Sequence, residues 1–299
     1  MYVVLGASGN TGHIVAKNLL AHGEKVRVVG RNAANLQTLA AHGAEAFIGD
    51  VTNADSLTKA FHKADAAYVM IPPNPTSNDF RGYQETVSDA IAAAVKNAGL
   101  RNIVSLSSFG ADKDTGTGPV VGLHTLEQKL NQIEGSNVLH LRAGYFMENT
   151  LPQVGAIRMA GSAIGPVAPD LKLPMIATRD IGEAAADALL HLGFRGKQTH
   201  ELQGQRDLDY TEAAAIIGKA IGKPALGYIQ APADQIRGAM VQMGMSDNFV
   251  GLILEMADAL NLGHMRTLEP RTSHNTTPTS FETFVAEAFL PAYQQQAAA

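Results

Sequence analysis

The residues best suited to chemistry stand at the start of the chain, in Leu5-Gly6-Ala7-Ser8-Gly9-Asn10-Thr11-Gly12. A strand is expected before them and a helix, His13 to His22, after them. A pyrophosphate needs a turn with no Cβ in its path, then a helix N-terminus whose free N–H groups and dipole face the anion. Gly6, Gly9 and Gly12 meet both needs, and Ser8, Asn10 and Thr11 add side-chain donors within reach of phosphate oxygens. An ordinary tight turn is the competing reading, and the flanking strand and helix weigh against it. The end of the second strand reads Val29-Gly30-Arg31-Asn32. A site for NAD presents an acid there for the ribose 2′-hydroxyl, whereas Arg31 offers a bidentate grip on a 2′-phosphate, so NADP is expected over NAD. A solvated arginine opening the next helix is the alternative. Asp50 and Val51, closing the third strand, are placed to accept from an adenine amino group and to pack its ring, unless Asp50 or Thr52 simply starts the following helix.

Such a site needs parallel strands behind it, and short β-branched runs alternating with helical patterns supply them. Six strands are expected: Tyr2–Leu5, Lys25–Val29, Glu45–Ile48, Ala66–Ile71, Asn102–Leu106 and Asn137–Leu141. With amphipathic helices between them, they make an α/β fold with a Rossmann-type doubly wound parallel sheet. After Leu141 the alternation gives way to Gly- and Pro-rich connections around Gly161 to Pro174, a helix from Ile181, a strand Thr199–Leu202 and mostly helical sequence. Residues 1–150 are therefore expected as the dinucleotide-binding domain and 151–299 as a smaller, mostly helical substrate lobe, interleaved if Thr199–Leu202 rejoins the main sheet. At 299 residues and 45% hydrophobic, the chain is long enough for one large core. No run approaches the roughly 18 apolar residues of a membrane span, and no charged segment with an apolar stretch opens the chain, so a cytoplasmic protein is expected. The absence of cysteine excludes disulfides, thiolate metal sites and cysteine nucleophiles. No metal is expected. A net charge of -5, with Lys and Arg scattered singly, argues against nucleic-acid binding.

The phosphate turn, Arg31, Asp50-Val51, Ser107-Ser108, the run Leu141-Arg142-Ala143-Gly144-Tyr145-Phe146-Met147-Glu148-Asn149 and the run Thr178-Arg179-Asp180-Ile181-Gly182 together resemble the NmrA-like family of atypical short-chain dehydrogenases. The likeness covers nearly the whole chain and is greatest to the NAD(P)H-dependent quinone oxidoreductase type. It implies a reductase, or alternatively a redox-sensing regulator that binds the dinucleotide without turnover and acts through a protein partner. Short-chain dehydrogenases generally work through a Tyr and a Lys four residues later on one helix face. Here that helix reads Gly122-Leu123-His124-Thr125-Leu126-Glu127-Gln128-Lys129, so His124 stands where the tyrosine would be, Gln128 where the lysine would be, and Lys129 one position late. His124 and Glu127 share a face, and an imidazole backed by a carboxylate is a proton donor or nicotinamide contact. A helix-start histidine beside a solvated glutamate is the alternative. Ser107 and Ser108 end the fifth strand, where the wider family sets a serine at the cofactor and substrate carbonyl; strand-end caps explain them nearly as well.

An acceptor that takes hydride readily and is protonated from water needs no such pair, and quinones meet that requirement. Tyr145 and Phe146 are placed to wall their pocket, and Asn149 to bond a carbonyl or the nicotinamide amide, with aromatic core filling as the competing reading. The expected catalytic set is His124, Tyr145 and Asn149. The expected partner is a small molecule, a quinone first, with a homodimer or a regulatory protein partner also open. An isomerase or epimerase using the cofactor transiently is a third reading. Asp180 is expected to cap the helix that follows it, and Thr279 to Glu282 to form a capping box with Pro278 in the first turn. Met240, Met243, Met245, Met256 and Met265 suit a core or an adaptable lid. The Gln294 to Ala299 tail is expected to fray.

Overall fold

The computed structural model describes residues 1–295. In chain order the first half runs β1 (Tyr2–Leu5), α1 (Asn10–Ala21), β2 (Val26–Gly30), α2 (Gln37–Ala41), β3 (Glu45–Ile48), α3 (Ala54–Phe61), β4 (Ala66–Val69), α4 (Phe80–Ala98), β5 (Asn102–Ser108), α5 (Val120–Asn131) and β6 (Asn137–Ala143). The second half adds β7 (Tyr145–Phe146), α6 (Gln153–Ala160), β8 (Ala163–Gly165), β9 (Met175–Ile176), α7 (Thr178–His191), β10 (Lys197–Leu202), α8 (Tyr210–Ala220), β11 (Tyr228–Gln230), α9 (Ala233–Gln242) and α10 (Asp247–Asn261). A helical run of α11 (Phe281–Phe284), a π turn and α12 (Leu290–Gln295) ends the described chain. Gln294 and Gln295 close α12, and the remainder of the expected frayed tail, 296–299, lies outside the described residues.

Seven strands form one parallel sheet in the order β10-β6-β5-β4-β1-β2-β3. The sheet is doubly wound, and its order reverses between β1 and β4. Strands covered on both faces must be apolar throughout, which is why Tyr2–Leu5 and Ala66–Val69 are buried along their whole length. One face packs Val15 and Leu19 of α1 and Ile181, Ala185 and Leu189 of α7 against Val4, Val28, Tyr68 and Leu141. The other packs Leu57, Ile91 and Leu126, from α3, α4 and α5, against Val3, Leu5, Ile103 and Val138. A further core, with Phe281, Phe289, Tyr210 and Met147 at its centre, holds the second half of the chain to the carboxyl ends of β5 and β6. The strand expected at Thr199–Leu202 is the longer β10 and pairs with β6 as an edge of the main sheet, so the two halves share one sheet.

Several boundaries differ from the sequence reading for local reasons. Helix α1 begins at Asn10, three residues before the expected His13, because Gly9 supplies an extended N-cap. Helix α7 begins at Thr178, before Ile181, and Asp180 does not cap it. Its carboxylate accepts instead from the Thr279 N–H at 3.0 Å and the Thr279 hydroxyl at 2.5 Å. Thr279 is thereby removed from its expected capping box, and Ser280 caps α11 by accepting from Thr283 N–H. Asp50 turns back to the Thr52 N–H and hydroxyl, while Asn53 caps α3. The methionines divide: Met265 is buried and Met243 is 65% exposed.

Beneath α5 the sheet carries a polar column rather than an apolar one. Ser105 and Ser107 of β5 and His140 and Arg142 of β6 stand in register there. His140 is buried, its Nε2 lies 3.0 Å from Asn131 Oδ1, and its Nδ1 has no partner. Donation to Asn131 fixes the hydrogen on Nε2, and a second proton on Nδ1 would have no acceptor. Burial accordingly pulls its pKa down to about 4 from 6.5, so the unfolded chain binds the extra proton between those values. Stability is present above pH 6.5 and falls as pH drops towards 4, by roughly 3 kcal/mol at the limit. His140→Gln keeps a donor for Asn131 and cannot titrate. Urea unfolding across this window should show a flatter pH dependence in that variant, and parallel curves would count against the assignment.

Candidate functional site

Because the strands are parallel, their carboxyl ends share one edge, and the glycine turn, Arg31, Asp50 and Ser107 end or follow strands there. The turn after β1 is held by a Gly9 N–H to Gly6 carbonyl bond of 2.9 Å, with Gly6 at a φ of +65°. A Cβ on Gly12 would lie 2.4 Å from the Gly6 carbonyl oxygen, so only glycine lets α1 start so close to the strand. Helix α1 has no side-chain cap and no acid in its first turn, a state it shares with α5 and α6, whereas α3, α4, α8 and α10 are capped by side chains. Ser8, Gly9 and Asn10 are exposed at its mouth. Thr11 is buried, and its hydroxyl accepts from the buried Tyr68 phenol at 2.9 Å, so it serves the core as well as the turn.

Around this turn stand residues the sequence pattern did not single out. The Met70 thioether, just after β4, lies 2.6 Å from where a Cβ on Gly6 would be and so walls the turn at the reversal of strand order. Arg31 is exposed beyond β2, as is Asp50 beyond β3, with Val51 buried beneath. Tyr83 of α4 lies within electrostatic reach of both. Burial pushes its phenol pKa up, Arg31 pulls it down and Asp50 raises it.

Helix α5 gives a different answer from the one its sequence suggested. Glu127 is buried and faces the sheet, where its carboxylate accepts from Arg142 Nε at 3.0 Å, Arg142 Nη2 at 2.7 Å and Ser107 Oγ at 2.5 Å. It does not back His124. The Ser107 hydrogen is committed to this carboxylate, and Ser108 donates to the carbonyl of Phe109. His124 Nδ1 lies 2.8 Å from the Ala111 carbonyl oxygen. A carbonyl only accepts, so Nδ1 carries the hydrogen and Nε2 of the neutral ring is an acceptor. The expected imidazole donor therefore donates outward only as imidazolium. Gln128 is exposed, and Lys129 pairs with Asp89 of α4 at 2.5 Å.

The run after β6 assigns a separate task to nearly every residue. A Cβ on Gly144 would lie 2.2 Å from the Pro174 carbonyl oxygen, so glycine allows β7 to run beside β9. Tyr145 is partly exposed, and its hydroxyl lies 2.9 Å from that of Tyr210 on α8. The Asn149 side chain also bonds the Tyr145 phenol. Phe146, expected to share the wall, packs instead against the core of the α1 and α7 face. Glu148 accepts from the Thr178 N–H at 3.0 Å and hydroxyl at 2.5 Å, and so caps α7 from outside. Burial pushes the Glu148 pKa up, while the bonds from Thr178 pull it down. The structure thus gathers Tyr145 and Asn149 into one cluster and leaves His124 outside it, on α5 against the Ala111 carbonyl. Tyr210 and Tyr228 complete the cluster from a lobe whose pairing no local pattern reveals.

Among the described residues no helix is long and apolar enough to cross a membrane, and no group of three or more His, Cys, Asp or Glu is placed to hold a metal ion. The buried Glu127 and Arg142 pair supplies a test of the local architecture. Glu127→Ala strands a guanidinium that is 12% exposed and should cost about 3 to 5 kcal/mol of unfolding free energy. Adding Arg142→Met should restore much of it, and equal stabilities of Glu127→Ala and the parent would show that the pair holds nothing.

Comparison with known proteins agrees with this fold. The chain is 28% identical over 263 residues to an NAD(P)H azoreductase of Xenophilus azovorans, covering 87% of this chain and 85% of that one. Its fold is similar to that of an NADPH-dependent quinone oxidoreductase of Escherichia coli solved with NADPH, with a TM-score of 0.81 and 24% identity over 97% of this chain and 100% of that one. A triphenylmethane reductase of Citrobacter sp. solved with NADP(H) superposes with a TM-score of 0.77 at 19% identity, over 99% and 100% of the two chains. The family model matches residues 2–285, and the chain belongs to the NmrA-like family.

Proposed function

We propose that this protein is an NADPH-dependent reductase of small conjugated electrophiles, with quinones as the first class and azo compounds beside them. The observation that carries the reading is the pairing, on one sheet edge, of an uncapped helix behind a Cβ-free turn with a partly exposed tyrosine cluster beyond β6. The azoreductase and quinone oxidoreductase relatives support the same chemistry. The turn fits a dinucleotide because a Cβ at Gly12 would close it and because α1 leaves its N-terminus without a competing carboxylate. In this reading Gly6, Ser8, Gly9, Asn10, Thr11 and Gly12 hold the pyrophosphate, Arg31 takes the 2′-phosphate, and Asp50 and Val51 bound the adenine. Ser107 acts from behind, by fixing the end of β5 through Glu127. Bound NADPH supplies hydride from C4 of its dihydronicotinamide. Tyr145 and Asn149 wall the acceptor and exclude water, which matters because positioning dominates when the acceptor takes hydride readily. His124, with its Nδ1 hydrogen committed to the Ala111 carbonyl, contributes no proton from its neutral ring.

Loss of the dihydronicotinamide absorbance with a panel of naphthoquinones and azo dyes tests the reading directly. Tight NADPH binding with no consumption would instead make the protein a dinucleotide-binding regulator. NADP(H) should bind more tightly than NAD(H), and Arg31→Ala should remove most of that preference, by about 1 to 3 kcal/mol. Equal affinities in the parent would remove the 2′-phosphate assignment. Gly9 has an ordinary extended backbone, and its Cβ would meet the Gly6 oxygen at 3.3 Å. Gly9→Val should therefore keep its circular dichroism spectrum and lose both cofactors. His124→Phe should reduce turnover less than tenfold, well below the 10²- to 10⁴-fold that general acid catalysis contributes, and an inactive variant that binds NADPH normally would restore an acid role to α5.

A further inference from the structure

The tyrosine cluster has a hydrogen count that fixes which phenol is free to act. Tyr228 donates its hydrogen to the Val167 carbonyl oxygen at 2.9 Å. Tyr210 stacks on Tyr228 with ring centroids 4.5 Å apart and planes at 19°, while Tyr145 meets Tyr210 edge-on at 80°. Tyr210 is 5% exposed, and the Tyr145 oxygen is the hydrogen-bond partner that its hydroxyl meets. Were Tyr145 the donor of that bond, the hydrogen of Tyr210 would be buried without an acceptor, at a cost of about 1 to 3 kcal/mol. The satisfied arrangement runs the other way. Tyr210 donates to Tyr145, the Asn149 amide bond lowers the Tyr145 pKa as a donor to its oxygen does, and the hydrogen of Tyr145 is left for an acceptor atom placed against it.

We infer that Tyr145 is the hydrogen-bond donor to the heteroatom that gains charge during reduction, and that Tyr210 is the positioning residue that turns the Tyr145 hydrogen outward. This assignment rests on the reductase reading above and names its acceptor class: planar conjugated carbonyl or azo compounds whose reduced form passes through an oxyanion or a nitrogen anion. The acceptor gains two electrons and one proton as hydride, NADPH being oxidised to NADP⁺. The electron pair displaced from its double bond settles on the heteroatom, and one proton from water completes the hydroquinone or hydrazine. Tyr145 keeps its own proton throughout. Burial pushes its phenol pKa up, against the bonds from Tyr210 and Asn149, and no lysine follows it by four residues to pull it down. It therefore acts as a donor preorganised towards developing charge, in the manner of an oxyanion hole, and not as an acid.

The test uses 4-nitrophenolate as a stable phenolate probe, with the NADP⁺-loaded full chain, and naphthoquinone turnover in parallel. Phenylalanine preserves each ring, and NADPH affinity is measured for every variant. Tyr145→Phe should weaken nitrophenolate binding and lower kcat by about 10- to 100-fold, the loss expected for a hydrogen bond to a charged group. Tyr210→Phe should show a smaller loss of the same kind, and the double variant should match Tyr145→Phe, because Tyr210 acts through it. The turnover penalty of Tyr145→Phe should also shrink as the quinone carries more electron-withdrawing groups, which a merely structural role would not produce. A parent that turns over quinones while Tyr145→Phe matches it in both readouts overturns the assignment alone, as do additive losses in the double variant. A parent that binds NADPH and reduces no acceptor overturns the reductase reading and this assignment with it.

Discussion

Everything at the sheet edge depends on two places where α1 is approached too closely for any side chain. Gly12 sits on the Gly6 carbonyl, and Gly182 of α7 sits on Ile14, where a Cβ would come within 2.6 Å of the Ile14 Cβ. The first contact sets the distance from strand to helix N-terminus, and the second clamps α7 across that same helix. Helix α7 is in turn held at its N-terminus by Glu148, three residues beyond Tyr145, and near it by Asp180 on Thr279. A short mechanical chain thus connects the phosphate turn to the tyrosine cluster. Because each link is a close contact or a buried hydrogen bond, it transmits position and not merely proximity.

The buried Glu127 and Arg142 pair takes up the one carboxylate of α5 that could back an imidazole on that helix. The helix spends its inward carboxylate on a bidentate ion pair and on Ser107. Its remaining lysine, Lys129, is drawn to Asp89 of α4. Removing either member of the ion pair would strand a charge, so the arrangement resists conversion to a Tyr and Lys pair by single steps. Proton-donor geometry is instead available one strand further along, after β6.

Legibility in the sequence followed the range of the forces involved. The glycine triplet, the apolar strands and the parallel order were readable because each depends on a few neighbouring residues and on periodicity. The start of α1 lies three residues before the expected His13 because its first three residues, Asn10, Thr11 and Gly12, are all weak helix formers. The capping box at Thr279 had the correct local spacing, yet a carboxylate 99 residues away took its hydroxyl and moved the cap to Ser280. Glu127 has a helical neighbour in His124 by spacing alone, and its real partners stand on β5 and β6. Tyr145 was identifiable at the carboxyl edge, but its orientation depends on Tyr210 and Tyr228, which reach it only through tertiary packing.

That division has a consequence for how the site can vary. The glycine turn is built on strands buried on both faces, where an added Cβ meets backbone at Gly12 and the Met70 thioether at Gly6. The tyrosine cluster is built from side chains of β7, α8 and β11 packed in a separate core, where Tyr210 stacks on Tyr228 and meets Tyr145 edge-on. Exchanges among aromatic residues there that keep volume disturb the packing little, so the cluster can vary while the glycine turn stays intact. The coupling that survives any such shift is directional. It passes through Glu148 to the N-terminus of α7 and from there to α1, so any change in the tyrosine cluster must still leave the Thr178 cap in place for the glycine turn to hold its shape.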